Sequence, residues 1–250
     1  MILLVLIVFI LAGLVLARAG AERDREPVYL SRECTSLVNG VFIWLVFLRH
    51  FAEQRPELNP VDAWILQHGG GCMGQLIVAP FFFFSGWGMM CSLQKKGKDY
   101  VRSLACTRFP GLLLKFAVAV LVFWAVQSLL GQSYSWEQVL LSLIGWQSLG
   151  NSNWFIFMTL LMYLVVAGVF AIIPQNKRSL GGLAVVALLA FVIFKMPGFR
   201  MRYWYDTILC LPAGMLWCEC CKCFSVKVLR RGGGCDRFVA CGVVGLRLCQ

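Results

Sequence analysis

The chain has 250 residues, of which 60% are hydrophobic and 14% charged, and its mean hydropathy is +0.76. Soluble domains run at roughly 45–50% apolar and about 25% charged residues, so this composition excludes an ordinary water-soluble globule and points to an integral membrane protein. The formal net charge of +11 sits in connecting segments, with no basic stretch interleaved with aromatics. It fits positive-inside topology and contact with anionic membrane lipids, and nucleic acid is set aside as a partner.

A hydrocarbon core about 30 Å thick needs roughly 20 mostly apolar residues per helical crossing. Windows approaching that length lie at 1–17, 37–52, 71–93, 109–130, 154–173, 180–196 and 204–216. They are continuous apolar runs, unlike the alternating pattern of barrel strands, and open strands would leave backbone groups unpaired in lipid. The expected fold is all-α, a multi-pass transmembrane helix bundle with about seven spans. Two readings fit the first window: a retained helix, or a signal peptide ending near Arg18-Ala19-Gly20-Ala21. The absence of a basic residue before the apolar run favours the retained helix.

The second window carries Asn39 near its start and Arg49-His50 at its end. Eleven residues at about 1.5 Å each put Asn39 and His50 near one helix face, some 16 Å apart. An ionisable pair in such a segment is a functional-site hypothesis by default. The plain account is a basic helix end whose side chains snorkel to headgroups. His68, followed by Gly69-Gly70-Gly71, reads as a solvated histidine in an outward loop. The third window contains Pro80-Phe81-Phe82-Phe83-Phe84-Ser85-Gly86-Trp87-Gly88, where small residues after bulky aromatics let helix backbones approach closely.

After that window Lys95, Lys96, Lys98, Arg102 and Arg108 face a single Asp99, which places this loop in the cytoplasm. The segment near 135–150 is apolar but short and carries Glu137 and Gln147. If it crossed, Lys177 and Arg178 would fall outside, against the positive-inside rule. A re-entrant or interfacial segment keeps them inside, together with the basic tail, and is the preferred reading. Of twelve cysteines, seven follow residue 217. No CxxC pair repeats at zinc-ribbon spacing, so unligated thiols are expected and no metal.

Several motifs, taken in order, resemble the membrane-bound acyltransferase family 3. They are Glu33-Cys34-Thr35-Ser36-Leu37-Val38-Asn39-Gly40 leading to Arg49-His50-Phe51, then Phe82-Phe83-Phe84-Ser85-Gly86-Trp87. Gly145-Trp146-Gln147-Ser148-Leu149-Gly150-Asn151-Ser152-Asn153-Trp154 and Leu211-Pro212-Ala213-Gly214-Met215-Leu216 follow. The resemblance implies an enzyme that transfers an acyl group, such as acetyl, from acyl-CoA to a hydroxyl of a sugar or surface polysaccharide. It implies His50 as the catalytic base, a role suited to an imidazole, which exchanges protons near neutral pH. Asn39 stands where the family has Arg or Lys. Arg108 matches the second of the family's arginine pair, Ala105 stands at the first, and Arg102 substitutes as a cation toward the coenzyme A phosphates. Ser85, Asn153 and Trp154 are expected in the cavity wall.

The expected organisation is an N-terminal transmembrane helix at 1–17, an acyltransferase-like membrane domain at 31–216 and a basic Cys/Gly-rich cytoplasmic tail at 217–250. Family members carry about ten spans, so a truncated member is also expected. The expected location is the plasma membrane, as a multi-pass protein of a bacterial cytoplasmic membrane. The expected partners are membrane lipids, acyl-CoA and a carbohydrate acceptor. Two other classes compete: a small-molecule transporter, for which no internal repeat is found, and a degenerate, non-catalytic membrane remnant of the family.

Overall fold

A computed structural model describes residues 32–53, 60–195 and 204–230. The first window, 1–17, and the last part of the tail, 231–250, lie outside the described residues. Among the described residues there is no strand, and the chain runs through α1 (Arg32–Glu53), α2 (Pro60–Lys96), α3 (Lys98–Ser103), a π-turn (Leu104–Arg108), α4 (Phe109–Leu129) and α5 (Trp136–Leu143). It continues through α6 (Trp154–Ile172), a 3₁₀ turn (Gln175–Lys177), α7 (Arg178–Lys195) and α8 (Cys210–Arg230). The fold is all-helical, as expected.

Among the described residues four helical stretches are long and apolar enough to cross a membrane: Gly74–Lys96, Lys98–Leu129, Trp154–Ile172 and Arg178–Lys195. They coincide with four of the seven windows. The windows at 37–52 and 204–216 correspond to shorter apolar helices, Val38–Phe51 and Cys210–Cys221. In the latter, residues 204–209 form turns and the helix begins only at Cys210. His68 corrects the sequence reading, because it lies inside α2 rather than in a loop. Its three following glycines are a weaker breaker in an apolar helix than in a soluble one, since glycine and proline are more frequent in transmembrane helices. Pro80, inside the same helix, is tolerated for that reason as well.

The described residues divide into two compact units, one holding those up to Ser85 with residues 220–230, the other those from Gly86 to Glu219. In the first, α1 and α2 run antiparallel. Phe42 meets Phe81 edge-on, with ring centroids 6.3 Å apart. Seven residues further along α1, the Arg49 guanidinium lies over Gly74, where an added Cβ would fall 2.8 Å from Nη1. Residue numbers rise on one helix as they fall on the other, so Asn39 shares an end of the pair with Ser85, and His50 the opposite end with Gly74.

In the second unit α6 is central. Met158, Leu160, Met162, Val166, Ala167, Val169 and Phe170 are all buried along it, and Gly181 of α7 packs on the Phe170 ring. By contrast α4 exposes Leu114, Val118, Leu121, Val122, Val126 and Leu129. That much exposed apolar surface suits a helix whose outer face meets lipid tails.

α5 begins with a capping box: Gln138 N–H donates to Ser135 Oγ at 3.2 Å, and Ser135 N–H donates back to Gln138 Oε1 at 3.0 Å. Its eight residues rise only about 12 Å, so the segment near 135–150 does not cross. The packing of α2 against α8 agrees. Gly86 meets Leu211, Cys91 meets Cys218 and Gln94 meets Glu219, so contacts advance together and these helix stretches are parallel. Parallel packing requires an even number of reversals between them. The spans α4, α6 and α7 supply that, whereas one more crossing by α5 would turn α8 antiparallel.

Candidate functional site

The cationic end of α2 is shaped by Gly97, whose φ of 59° is a left-handed conformation that glycine adopts without a Cβ clash. Gly97 N–H closes α2 on Leu93 O at 2.9 Å, and Tyr100 N–H then bonds Gly97 O at 3.1 Å. This reversal turns the Tyr100 side chain back onto α2, where it is 2% exposed and its hydroxyl pairs with Ser92. Ser92 Oγ in turn donates to Gly88 O at 2.7 Å.

Arg108 ends the π-turn. Its Nη1 donates to Tyr100 Oη at 3.2 Å, and its guanidinium carbon sits 5.0 Å from the Tyr100 ring centroid. Tyr163 of α6 lies within electrostatic range of the same guanidinium. The arginine is therefore held by a buried phenol while the residue as a whole stays exposed, along with Lys95, Lys96, Lys98 and Arg102. Five exposed cations against Asp99 make this end strongly attractive to a polyanion, and an exposed planar guanidinium suits phosphate oxygens. π-turns recur at functional sites. Sequence reasoning found the charges but missed Tyr100, which holds Arg108, and Ser92, which pairs with the Tyr100 hydroxyl.

The segment 144–153 is a compact, internally bonded loop. Gly145 and Gly150 take φ of 80° and 101°. Ser148 Oγ donates to Asn151 O at 2.6 Å and accepts from Gly150 N–H at 3.0 Å, while Leu149 N–H donates to Asn151 Oδ1 at 3.1 Å. Tyr134 Oη closes the loop from outside by donating to Leu149 O at 2.9 Å. Asn153, 5% exposed, donates from Nδ2 to the carbonyls of Gly145 and Gln147. Its backbone carbonyl accepts the first α6 bond, from Phe157 N–H at 3.1 Å. The amide nitrogen expected in a cavity wall is thus engaged in tying the loop to the start of α6. Trp146 stacks at a tilt on Phe157, with centroids 5.3 Å apart, and Phe157 meets Trp204 at 5.8 Å. Trp154 opens α6 and packs edge-on to Phe155.

In the first unit, His50 is exposed in the last turn of α1, and Arg49 is half-buried against Gly74. Asn39 is half-buried, and its Oδ1 is enclosed with no hydrogen-bond partner; Gln75 Oε1 is in the same position. A buried unsatisfied acceptor costs about 1–3 kcal/mol, and such groups call for a reason. Ser85 is exposed on α2. The predicted site residues therefore divide between the units: Asn39, His50 and Ser85 in one, and Arg102, Arg108, Asn153 and Trp154 in the other. Compared with protein-family models, with curated proteins and with solved structures, the chain matches none.

Proposed function

We propose that the chain is a membrane-embedded O-acyltransferase that takes an acetyl or similar acyl group from acyl-CoA and passes it to a hydroxyl of a sugar or surface polysaccharide. The observation that carries this reading is Arg108, a guanidinium fixed by the Tyr100 hydroxyl and ring among Lys95, Lys96, Lys98 and Arg102. That arrangement suits the clustered phosphates of a coenzyme A donor better than scattered lysines alone would. Fixing the guanidinium in advance reduces the side-chain entropy lost on binding.

In this scheme the donor phosphates sit on the cytoplasmic face, with Arg108 as the principal contact and Arg102 and the lysines contributing long-range attraction. His50 serves as general base, accepting the proton of the acceptor hydroxyl as its oxygen attacks the thioester carbonyl. Asn39 and Ser85 are substrate- or donor-side residues of their own unit, Trp154 stands at the head of α6, and Asn153 keeps the adjoining loop in shape. The protein resides in the plasma membrane, that of a bacterium.

Acetyl-CoA added to the detergent-solubilised protein is expected to raise its thermal midpoint in a concentration-dependent way, and Arg108→Ala to weaken that effect about tenfold or more. His50→Ala is expected to keep the stabilisation while lowering acyl transfer about a hundredfold or more. Acyl transfer undiminished in a folded His50→Ala protein would remove the histidine from the mechanism. No stabilisation by acetyl-CoA at any concentration would remove the enzyme reading itself.

A further inference from the structure

Two sulfurs far apart in sequence meet where α2 packs on α8. Cys91 Sγ lies 3.4 Å from Cys218 Sγ, across 127 residues of chain. Both are thiols in this structure. A disulfide requires about 2.05 Å between sulfurs, so closing the remaining distance of about 1.4 Å is within reach of small χ1 rotations. The backbones are already held close, because Gly86 abuts the Leu211 carbonyl less than two turns earlier.

The two thiols differ in access. Cys218 is 3% exposed, whereas Cys91 is half-buried. Gln94, one turn after Cys91, donates from Nε2 to Cys218 Sγ at 3.6 Å and to the Glu219 carboxylate. The thiolate is the nucleophile of thiol–disulfide exchange. Among the described residues no set of three His, Cys, Asp or Glu side chains is grouped to hold a metal ion.

We propose that Cys91 and Cys218 form a reversible disulfide that couples α2 to α8 when the surrounding thiol pool is oxidised. A small disulfide such as oxidised glutathione is the oxidant. The Cys91 thiolate attacks one of its sulfurs, forming a mixed disulfide and expelling one glutathione thiolate. The Cys218 thiolate then attacks the Cys91 sulfur, forming the Cys91–Cys218 bond and expelling the second. The two cysteine protons end on the two released glutathiones, and the two electrons go into their reduced thiols. In a reducing compartment the pair rests as dithiol and the bond is transient.

The experiment treats the purified full chain with oxidised glutathione, alkylates the remaining thiols and maps the peptides by mass spectrometry. The wild-type protein is expected to yield a linked Cys91–Cys218 peptide about 2 Da lighter than the sum of its reduced parts, cleaved by a reductant. Cys218→Ser is expected to arrest the reaction with glutathione held on Cys91, and Cys91→Ser to give neither the link nor an adduct on Cys218. Recovery of both residues alkylated in oxidised wild-type protein would overturn the proposal, as would a lasting glutathione adduct on wild-type Cys91. Because the wild-type map decides the matter by itself, a variant that fails to fold leaves the test intact.

Discussion

Gly86→Ala is expected to destabilise the helix bundle by about 3 kcal/mol or more, near the upper end for a single substitution, while Gly88→Ala, two residues on, is expected to be neutral or slightly stabilising. A Cβ at residue 86 would lie 1.8 Å from the Leu211 carbonyl oxygen and 2.7 Å from its carbon. Those are backbone atoms inside α8, so no side-chain rotation relieves the clash and the two helices must separate. The glycine also permits the close Cα–H to carbonyl approach that recurs at helix–helix interfaces. Nothing lies within 4 Å of a Cβ built on Gly88, and alanine there adds up to about 1 kcal/mol of helix propensity. Thermal unfolding of the two variants in one detergent checks the contrast. Equal midpoints for both would show that α2 and α8 do not touch at this point.

The second large effect is expected at Asn153. Truncation to alanine removes the buried donor shared by the Gly145 and Gln147 carbonyls, and a cost of about 2–3 kcal/mol follows from leaving those acceptors without it. Asn153→Asp is expected to be worse, since a carboxylate would face two carbonyl oxygens. Loosening the loop should also release Trp146 from Phe157, so tryptophan emission is expected to shift to the red along with the loss of thermal stability. Ser148→Ala, in an exposed part of the same loop, is expected to cost less than half as much. A folded Asn153→Ala protein with unchanged midpoint and emission would mean that the loop keeps its shape without the clamp.

Much of the architecture was legible because apolar runs of about 20 residues leave few alternatives. The windows at 71–93, 109–130, 154–173 and 180–196 became long helices, and the Ser85-Gly86 pair marked a close helix approach that Gly86 makes on Leu211. The short segment near 135–150 was readable through its two polar residues and the position of Lys177 and Arg178. His68 was misread because glycine runs signal loops in water, whereas an apolar helix continues through them.

The candidate site was less legible. Cations announce themselves in a sequence, but what holds one of them does not. Tyr100 and Arg108 are eight residues apart, a spacing that an unbroken α-helix turns about 80° away from a common face. Asn153 looked like a residue available to a ligand, and only the fold of the loop reveals that its amide nitrogen is occupied. Cys91 and Cys218 stand in separate apolar segments, and no local pattern links positions 127 residues apart.

The π-turn Leu104–Arg108 bears on which insertions and deletions this chain tolerates. A π-turn accommodates one residue more than the regular helix around it, so a helix without it would present position 107 where Arg108 now meets Tyr100. Losing one residue from 105–107 would let the helix close up as plain α and leave the arginine over the phenol, now seven positions away and still on the same face. Losing one residue from the middle of α4 would instead rotate everything beyond it by about 100° and turn its lipid-facing leucines and valines inward. The chain thus carries, beside its best-held cation, a place where its length can change without its shape changing.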